Sequence, residues 1–385
     1  MSFSMKKIYR KLHLWLGLLS GIVVFTVCIT GCLYAFKDEI NNLRQPYKFI
    51  EAQEVPMMQP HKLIAIAEER TGIPAASIGA ITYGEKTDAV KLDYFSKDGS
   101  SEVYVNPYSG EIIKVVTKKP GEFDFFRFVL TGHRTLWLPR SVGKPIIGFG
   151  VLFFVVTLIT GVAIWLPKKW NKKTAKNSLT IKLKGPWHRL NWKLHTVLGA
   201  YAFIVLLACS LTGLVWSFGW FSKSLYYVTS GGEELKPYRM PQSDTTRVDL
   251  ALSFPLDSLY QHLTKAEPAA TSYYYAMPRN EKGVIRVSVV HKRGSYYRTD
   301  NLFFDQYTLQ PLQGQGPYAG RYTEASAADK LRRMNLEIHD GRILGLPGRI
   351  IVFIGSLVGA SLPVTGFIIW FRKQRNKKRK RAANA

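Results

Sequence analysis

Cysteine is scarce: three residues in 385. Cys28, Cys32 and Cys209 all fall inside apolar runs, where a thiol behaves as a small buried side chain. The polar segments between those runs hold no cysteine and need no disulfides. No Cys-x-x-Cys-His occurs, which excludes covalent c-type haem attachment. No Gly-x-Gly-x-x-Gly follows a strand pattern, so no flavin or nicotinamide domain is visible. Acidic residues are also few, 27 against 53 Lys and Arg, leaving a net charge of +26.

That charge is concentrated. Residues 1–12 hold four Lys/Arg, residues 168–193 nine and residues 372–385 eight, and none of the three stretches contains an acid. Each flanks a long apolar run, so the charge is a topology signal and not a nucleic-acid footprint. The runs cover 14–36, 143–167, 194–218 and 348–371, each near the roughly 20 residues that span a bilayer core. Trp15, Trp165, Trp216 and Trp370 mark their ends as interfacial aromatics do. Positive stretches stay inside, which puts the N-terminus (1–13), the basic loop 168–193 and the tail 372–385 in the cytoplasm. Segments 37–142 and 219–347 then lie outside. The helix interiors lack Asp, Glu, Lys and Arg, which argues against a transporter.

The chain repeats. Lys11-Leu12-His13 recurs as Lys193-Leu194-His195, and the same offset aligns Gly17 with Gly199, Thr30-Gly31 with Thr212-Gly213, and Phe36 with Phe218. Thr160-Gly161 and Trp165 likewise match Thr365-Gly366 and Trp370, with His133 and His339 upstream of each. The match of Ile29-Thr30-Gly31-Cys32 to Leu211-Thr212-Gly213-Leu214 argues that the first run is an uncleaved helix and not a lipoprotein signal. Both halves start inside, so the expected fold is membrane α-helical. It has four transmembrane helices in two parallel-topology repeats, related by a pseudo-twofold axis along the membrane normal.

Each outer segment reads as a small α+β fold. In the first, a helix over 62–70 ends at Thr71-Gly72, and strands follow near 77–83, 89–94, 102–105 and 111–117. In the second, a helix over 256–263 precedes strands near 272–277, 284–290, 298–304 and 309–312. Tyr273-Tyr274-Tyr275 and Tyr296-Tyr297 read mainly as strand residues of a small core. Asn106-Pro107-Tyr108-Ser109-Gly110 and Asp305-Gln306-Tyr307 occupy corresponding turns.

Val103-Tyr104-Val105-Asn106-Pro107-Tyr108-Ser109-Gly110-Glu111 resembles the strand–turn–strand signature of PepSY domains. With Lys11-Leu12-His13, the Trp187-His188 to Gly199 block and the Thr-Gly helices, nearly the whole chain resembles the PepSY-associated transmembrane family of bacterial inner-membrane proteins. The resemblance implies PepSY-like periplasmic domains, a multi-pass inner-membrane location and a link to iron uptake, because the family includes ferric-siderophore reductases. It also implies a second class of function, because PepSY domains are associated with protease inhibition and partner binding. The chain would then be a non-enzymatic envelope regulator, protease-modulating protein or assembly factor.

Histidines decide between the two. Repeat-equivalent residues face each other across a pseudo-twofold axis, and a planar cofactor fits between two such imidazoles. His13 with His195, and His133 with His339, are therefore candidate axial ligands of two haem b groups, the first pair inner and the second outer. The alternative is that they are interfacial side chains reaching water. Gly17, Ser20, Gly21, Gly199 and Ala200 leave room near the inner pair. His188, seven residues before His195, is a substitute ligand or a supporting residue. From His133 to Lys168 a continuous helix would overshoot the bilayer, and Pro139 and Pro347 are placed where a helix can break or turn. His133 and His339 then either fold back onto the bundle or stay in an external helix. His61, His262 and His291 read as ordinary loop residues. The expected activity is that of an oxidoreductase passing electrons to a periplasmic ferric siderophore, from a separate donor, either membrane quinol or a cytoplasmic reductase.

Overall fold

The computed structural model describes residues 3–250 and 254–384. The first half contains α1 (Phe3–Ala35), α2 (Lys37–Arg44), α3 (Pro60–Thr71), β1 (Ile78–Tyr83), β2 (Val90–Ser96), β3 (Gly99–Val105), β4 (Ile112–Lys118), α4 (Phe125–Thr135) and α5 (Arg140–Trp165). Then come α6 (Lys172–Leu179), α7 (Trp187–Lys193), α8 (Gly199–Ser217), α9 (Gly219–Thr229) and α10 (Pro255–Ala266). The chain ends with β5 (Ser272–Ala276), β6 (Val284–Val290), β7 (Thr299–Asp305), β8 (Pro311–Leu312), α11 (Ala327–Asp340) and α12 (Gly345–Ala383). It divides into two compact units, one of strands and short helices and one of long helices.

In the first unit the strands run β4-β3-β2-β1-β5-β6-β7-β8 in one antiparallel sheet. The expectation of a separate small fold for each outer segment is revised here. β1 pairs with β5 through Ile81↔Tyr275 and Thr82↔Tyr274, so the two sets of four strands are halves of one sheet. They also share one core, in which Leu63 and Ala67 of α3 and Leu256, Leu259 and Leu263 of α10 cover Ile81, Leu92, Tyr275 and Ile285. A four-stranded meander with one helix buries little and leaves an open edge, and fusing two of them closes that edge. Tyr273 and Tyr275 are buried in this core. Tyr274 points to the other face, with the Arg286 guanidinium 5.7 Å from its ring.

The two corresponding turns use the same device. The Asn106 carboxamide oxygen accepts from the Tyr108 N–H at 2.9 Å. The Asp305 carboxylate accepts from the Tyr307 and Thr308 N–H groups, both at 2.9 Å. Burial alone would raise the Asp305 pKa, but the N–H groups of Thr308, Asp244 and Tyr307 outweigh it and hold the carboxyl below the usual range. Its folded pKa is thus depressed, so its contribution is complete above the unfolded value near 3.9 and is lost as pH falls through the folded one. Asp305→Ala should cost about 1–3 kcal/mol, because it strands buried donors. Thermal unfolding followed by circular dichroism at pH 7 checks this, and the difference from wild type should shrink at acid pH.

The second unit makes this a multi-pass membrane protein. The helical stretches Met5–Arg44, Arg140–Trp165, Trp187–Ser217 and Arg342–Ala383 are long and apolar enough to cross a bilayer. α1 packs on α5 and α12, and α8 packs on the same two helices. Between them Val24, Phe154, Leu158, Ala202 and Leu206 form an apolar core. Glycines set the closest crossings. A Cβ at Gly150 would lie 2.6 Å from Val23, and one at Gly355 would lie 2.7 Å from Val205. Without a hydrophobic drive between helices in lipid, such close backbone approach is what holds them together. α1 continues unbroken through Cys32, whose thiol points to the Phe353 carbonyl at 3.5 Å.

The long helices do not simply run on into the segments that carry His133 and His339. α4 ends with Leu136 and Trp137 in left-handed conformations, at φ 53° and 58°. Pro139 then caps α5. α11 ends at Gly341, φ 83°, before α12 starts with Pro347 in its first turn, where its missing N–H is harmless. Both histidine-bearing helices therefore fold back against the bundle.

Candidate cofactor site

The structure brings together both histidine pairs named from the sequence. The His13 and His195 ring centres are 6.2 Å apart with planes crossed at 82°. Those of His133 and His339 are 6.0 Å apart and crossed at 78°. An imidazole nitrogen binds a transition metal at about 2 Å and its ring centre lies roughly 1.1 Å behind, so two imidazoles on opposite sides of one metal have centres about 6 Å apart.

Every one of the four rings is oriented through Nδ1 by a neighbouring helix. His13 Nδ1 meets the Thr157 carbonyl at 2.9 Å and the Thr160 hydroxyl at 3.5 Å. His133 Nδ1 meets the Val27 carbonyl at 3.0 Å and the Thr30 hydroxyl at 3.1 Å. His339 Nδ1 meets the Cys209 carbonyl at 3.0 Å and the Thr212 hydroxyl at 2.9 Å. His195 Nδ1 meets the Thr365 hydroxyl at 2.9 Å. Each of those hydroxyls donates its own hydrogen to carbonyls three and four residues back in its helix. A carbonyl can only accept, and a hydroxyl whose hydrogen is committed can only accept as well. Nδ1 therefore carries the proton in all four rings, and Nε2 presents a lone pair. This second-shell pattern fixes the tautomer and plane of metal-ligating histidines.

The glycine after each threonine completes the seat. The Cε1 of His13 lies 3.0 Å from where a Gly161 Cβ would be, and that of His195 3.1 Å from a Gly366 Cβ. The corresponding spacings are 3.5 Å for Gly31 under His133 and 3.7 Å for Gly213 under His339. A Thr-Gly dipeptide is thus a seat for the Nδ1–Cε1 edge of one imidazole against a helix. Thr30, Thr160 and Thr212 are buried. From the sequence these dipeptides served only as repeat markers, and their role as histidine seats was missed. The missed signal was that Thr-Gly and His each occur four times in matched positions.

Among the described residues no three His, Cys, Asp or Glu side chains converge as a metal site. Two imidazoles alone hold a bare ion poorly, whereas a macrocycle brings the remaining in-plane ligands with it. An apolar groove of about 330 Å³ between α1 and α12 is lined by Gly17, Gly21, Phe25, Pro363 and Phe367. A Cβ at Gly199 would lie 3.4 Å from Leu362, one at Gly21 3.4 Å from Pro363 and one at Gly17 3.5 Å from Thr157, so all three glycines serve helix contact. The donor set fits a bis-histidine macrocycle.

A family model described as the PepSY-associated TM region matches residues 10–373. The chain belongs to this family. A search of curated proteins found no match. In this family member the match spans both histidine pairs and all four Thr-Gly seats.

Other histidines stand apart from the two pairs. His188 is exposed in the first turn of α7. It precedes His195 by seven residues, about 10 Å along a helix axis, too far to reach the same metal. His291 pairs with Asp300 at 2.9 Å, and His61 with Asp257, both within the sheet unit. The segment at His195 also holds a feature without a sequence signature. Leu194–Leu198 is a π-helical turn, whereas His13 sits in regular α-helix. Such turns recur at functional sites because they re-aim one side chain.

Proposed function

We propose that this protein is a haem b-bearing membrane reductase that transfers electrons across the bacterial inner membrane to a periplasmic ferric siderophore. The observation that carries the reading is the paired imidazoles, two at each of two levels, with Nδ1 protonated and Nε2 free at a separation suited to one shared metal. Haem b, when bound, supplies a one-electron carrier at each level. His13 and His195 would hold one group, His133 and His339 the other. The threonine hydroxyls and the carbonyls three residues before them hold the imidazole protons and keep each Nε2 aimed. Val24, Phe154, Leu158, Ala202 and Leu206 exclude water between the levels.

The levels are separated by the 14 to 17 residues of α1 from His13 to Val27 and Thr30, or about 21–25 Å of helix. That spans much of a hydrocarbon core. The basic stretches put the His13–His195 pair on the cytoplasmic side, next to the electron donor, which is quinol or a cytoplasmic reductase. A parallel two-fold repeat is supported by contacts that recur at the sequence offsets, Gly150 on Val23 and Gly355 on Val205 among them.

The test is an optical spectrum of protein expressed with ample haem. A Soret band with reducible α and β bands, reoxidised by a ferric siderophore, is the expected result. A folded but colourless preparation would reject the reading and favour the envelope-binding module. A finer expectation concerns the seats. Gly161→Ala and Gly366→Ala place a methyl at 3.0 and 3.1 Å from a ligand ring and should shift or deplete the first haem. Gly31→Ala and Gly213→Ala, at 3.5 and 3.7 Å, should leave the second haem intact. They should even gain up to about 1 kcal/mol from helix propensity. Pyridine haemochrome content and melting temperature together check the contrast.

A further inference from the structure

The second half of the chain carries a device that the first half lacks. Asn191 lies one turn before His195, and its Nδ2 donates to the Thr365 carbonyl at 3.1 Å. Asn335 lies one turn before His339, and its Nδ2 donates to the Thr212 carbonyl at 3.2 Å. Those are the same threonines whose hydroxyls meet His195 and His339 at Nδ1. Asparagine and histidine thus grip the backbone and the side chain of one residue, from one face of one helix. The acceptor is a carbonyl, so the carboxamide must present its NH₂. Both asparagines are buried, at 2% and 6% exposure; the Asn191 Oδ1 has no hydrogen-bond partner there, so the Nδ2 bond to Thr365 is the polar contact that holds its carboxamide. In the first half the residues one turn before His13 and His133 are Tyr9 and Val129, which offer no amide.

We infer that Asn191 and Asn335 are positioning residues that lock one imidazole of each pair, so that both axial ligand sets are held with their planes crossed near a right angle. This rests on the haem reading above. The crossing is 82° in one pair and 78° in the other. A ring held at a single point, Nδ1, can rock about that point. When the helix is also pinned one turn away to the same partner residue, the backbone that carries the ring cannot slide relative to the Nδ1 acceptor without breaking a buried hydrogen bond, so the ring keeps its plane. The π-helical turn Leu194–Leu198 begins three residues after Asn191 and contains His195, so the pin sits at the start of the irregular turn that carries the ring.

Plane orientation has an electronic consequence. Parallel imidazoles act on one of the two π-type iron d orbitals and split them. Crossed imidazoles act on both about equally and leave them nearly degenerate. A ferric low-spin centre of the crossed kind gives one strongly anisotropic low-field resonance in place of three rhombic features.

Electron paramagnetic resonance of the oxidised full-length protein in detergent tests this. Wild type should show the crossed-plane signal for both centres. Asn191→Leu, of similar volume, should convert the His13–His195 signal toward the rhombic type or spread it into a distribution. The other signal should not change, and haem content should be kept. Asn335→Leu should do the converse, and Val129→Ala should alter neither. Rhombic signals in wild type would overturn the inference, as would unchanged signals in both asparagine variants at full haem content. If Asn191→Leu fails to assemble, Asn191→Ser, too short to reach the Thr365 carbonyl, should move the same signal, and an unchanged signal at full haem content would overturn the inference. Colourless protein would reject the haem reading itself, which differs from red protein with unaltered variant spectra.

Discussion

His13→Ala should remove one of two haems and leave the other. His195→Ala should do the same, and the double replacement should cost no more than either single one, because in the proposed reading the two imidazoles share one metal. The expected readout is a fall in haem per chain from two to one, with about half of the Soret absorbance lost. The loss should be confined to one centre because the pairs sit at opposite ends of a shared apolar core and have separate seats. Thr160 and Thr365 serve the first pair, and Thr30 and Thr212 the second. Removing a buried imidazole also leaves a Thr-Gly seat empty, a cavity cost of a few kcal/mol in the bundle. Exogenous imidazole added to His13→Ala should refill the seat and restore the band, which separates a ligand role from a packing role. Should His13→Ala and His195→Ala retain both haems, the assignment fails.

His133→Ala or His339→Ala should abolish reduction of an external ferric siderophore while the His13–His195 centre remains present and reducible by dithionite. The effect on substrate turnover should be a loss to background. The second pair is the only other paired histidine set among the described residues, and an apolar cluster lies between the two pairs. Trp216 packs edge-on against His339 at 5.2 Å and shields that ring, so Trp216→Ala should be milder than loss of the ligand itself. Stopped-flow mixing of reduced variants with a ferric siderophore distinguishes the cases. If turnover persists in His133→Ala with the second haem gone, the substrate is reduced elsewhere.

Much of this architecture was legible before any coordinates. Runs of apolar residues with Trp at their ends and Lys/Arg beyond them are local patterns, and the four membrane-length helices stand where those patterns lie. The pairing of His13 with His195 followed from an offset that the surrounding helix shares, and that of His133 with His339 from an offset one residue longer than that of the helix after it. The strand and helix positions of the sheet unit were readable from alternation and from Gly72, whose φ of 69° ends α3 as a left-handed cap. Three things were not legible. One was the fusion of two four-stranded sets through β1 and β5, because edge pairing depends on which edges meet. Another was the use of Thr-Gly as a seat, because Thr160 and His13 are 147 residues apart. The third was the Asn191 and Asn335 clamp, because a single Asn on an apolar helix has many structural explanations.

The sequence by itself determined what each segment is: a membrane helix, a strand, a basic flank, or a repeat of an earlier segment. Those properties are set by neighbouring residues and by solvent preference, which a linear pattern records. Only the tertiary structure decided which nitrogen of each histidine is protonated, how far apart the rings stand and how their planes cross. Those depend on carbonyls and hydroxyls delivered by other helices. The Lys-Leu-His repeat names the residues, and the Thr-Gly seats opposite them set their chemistry.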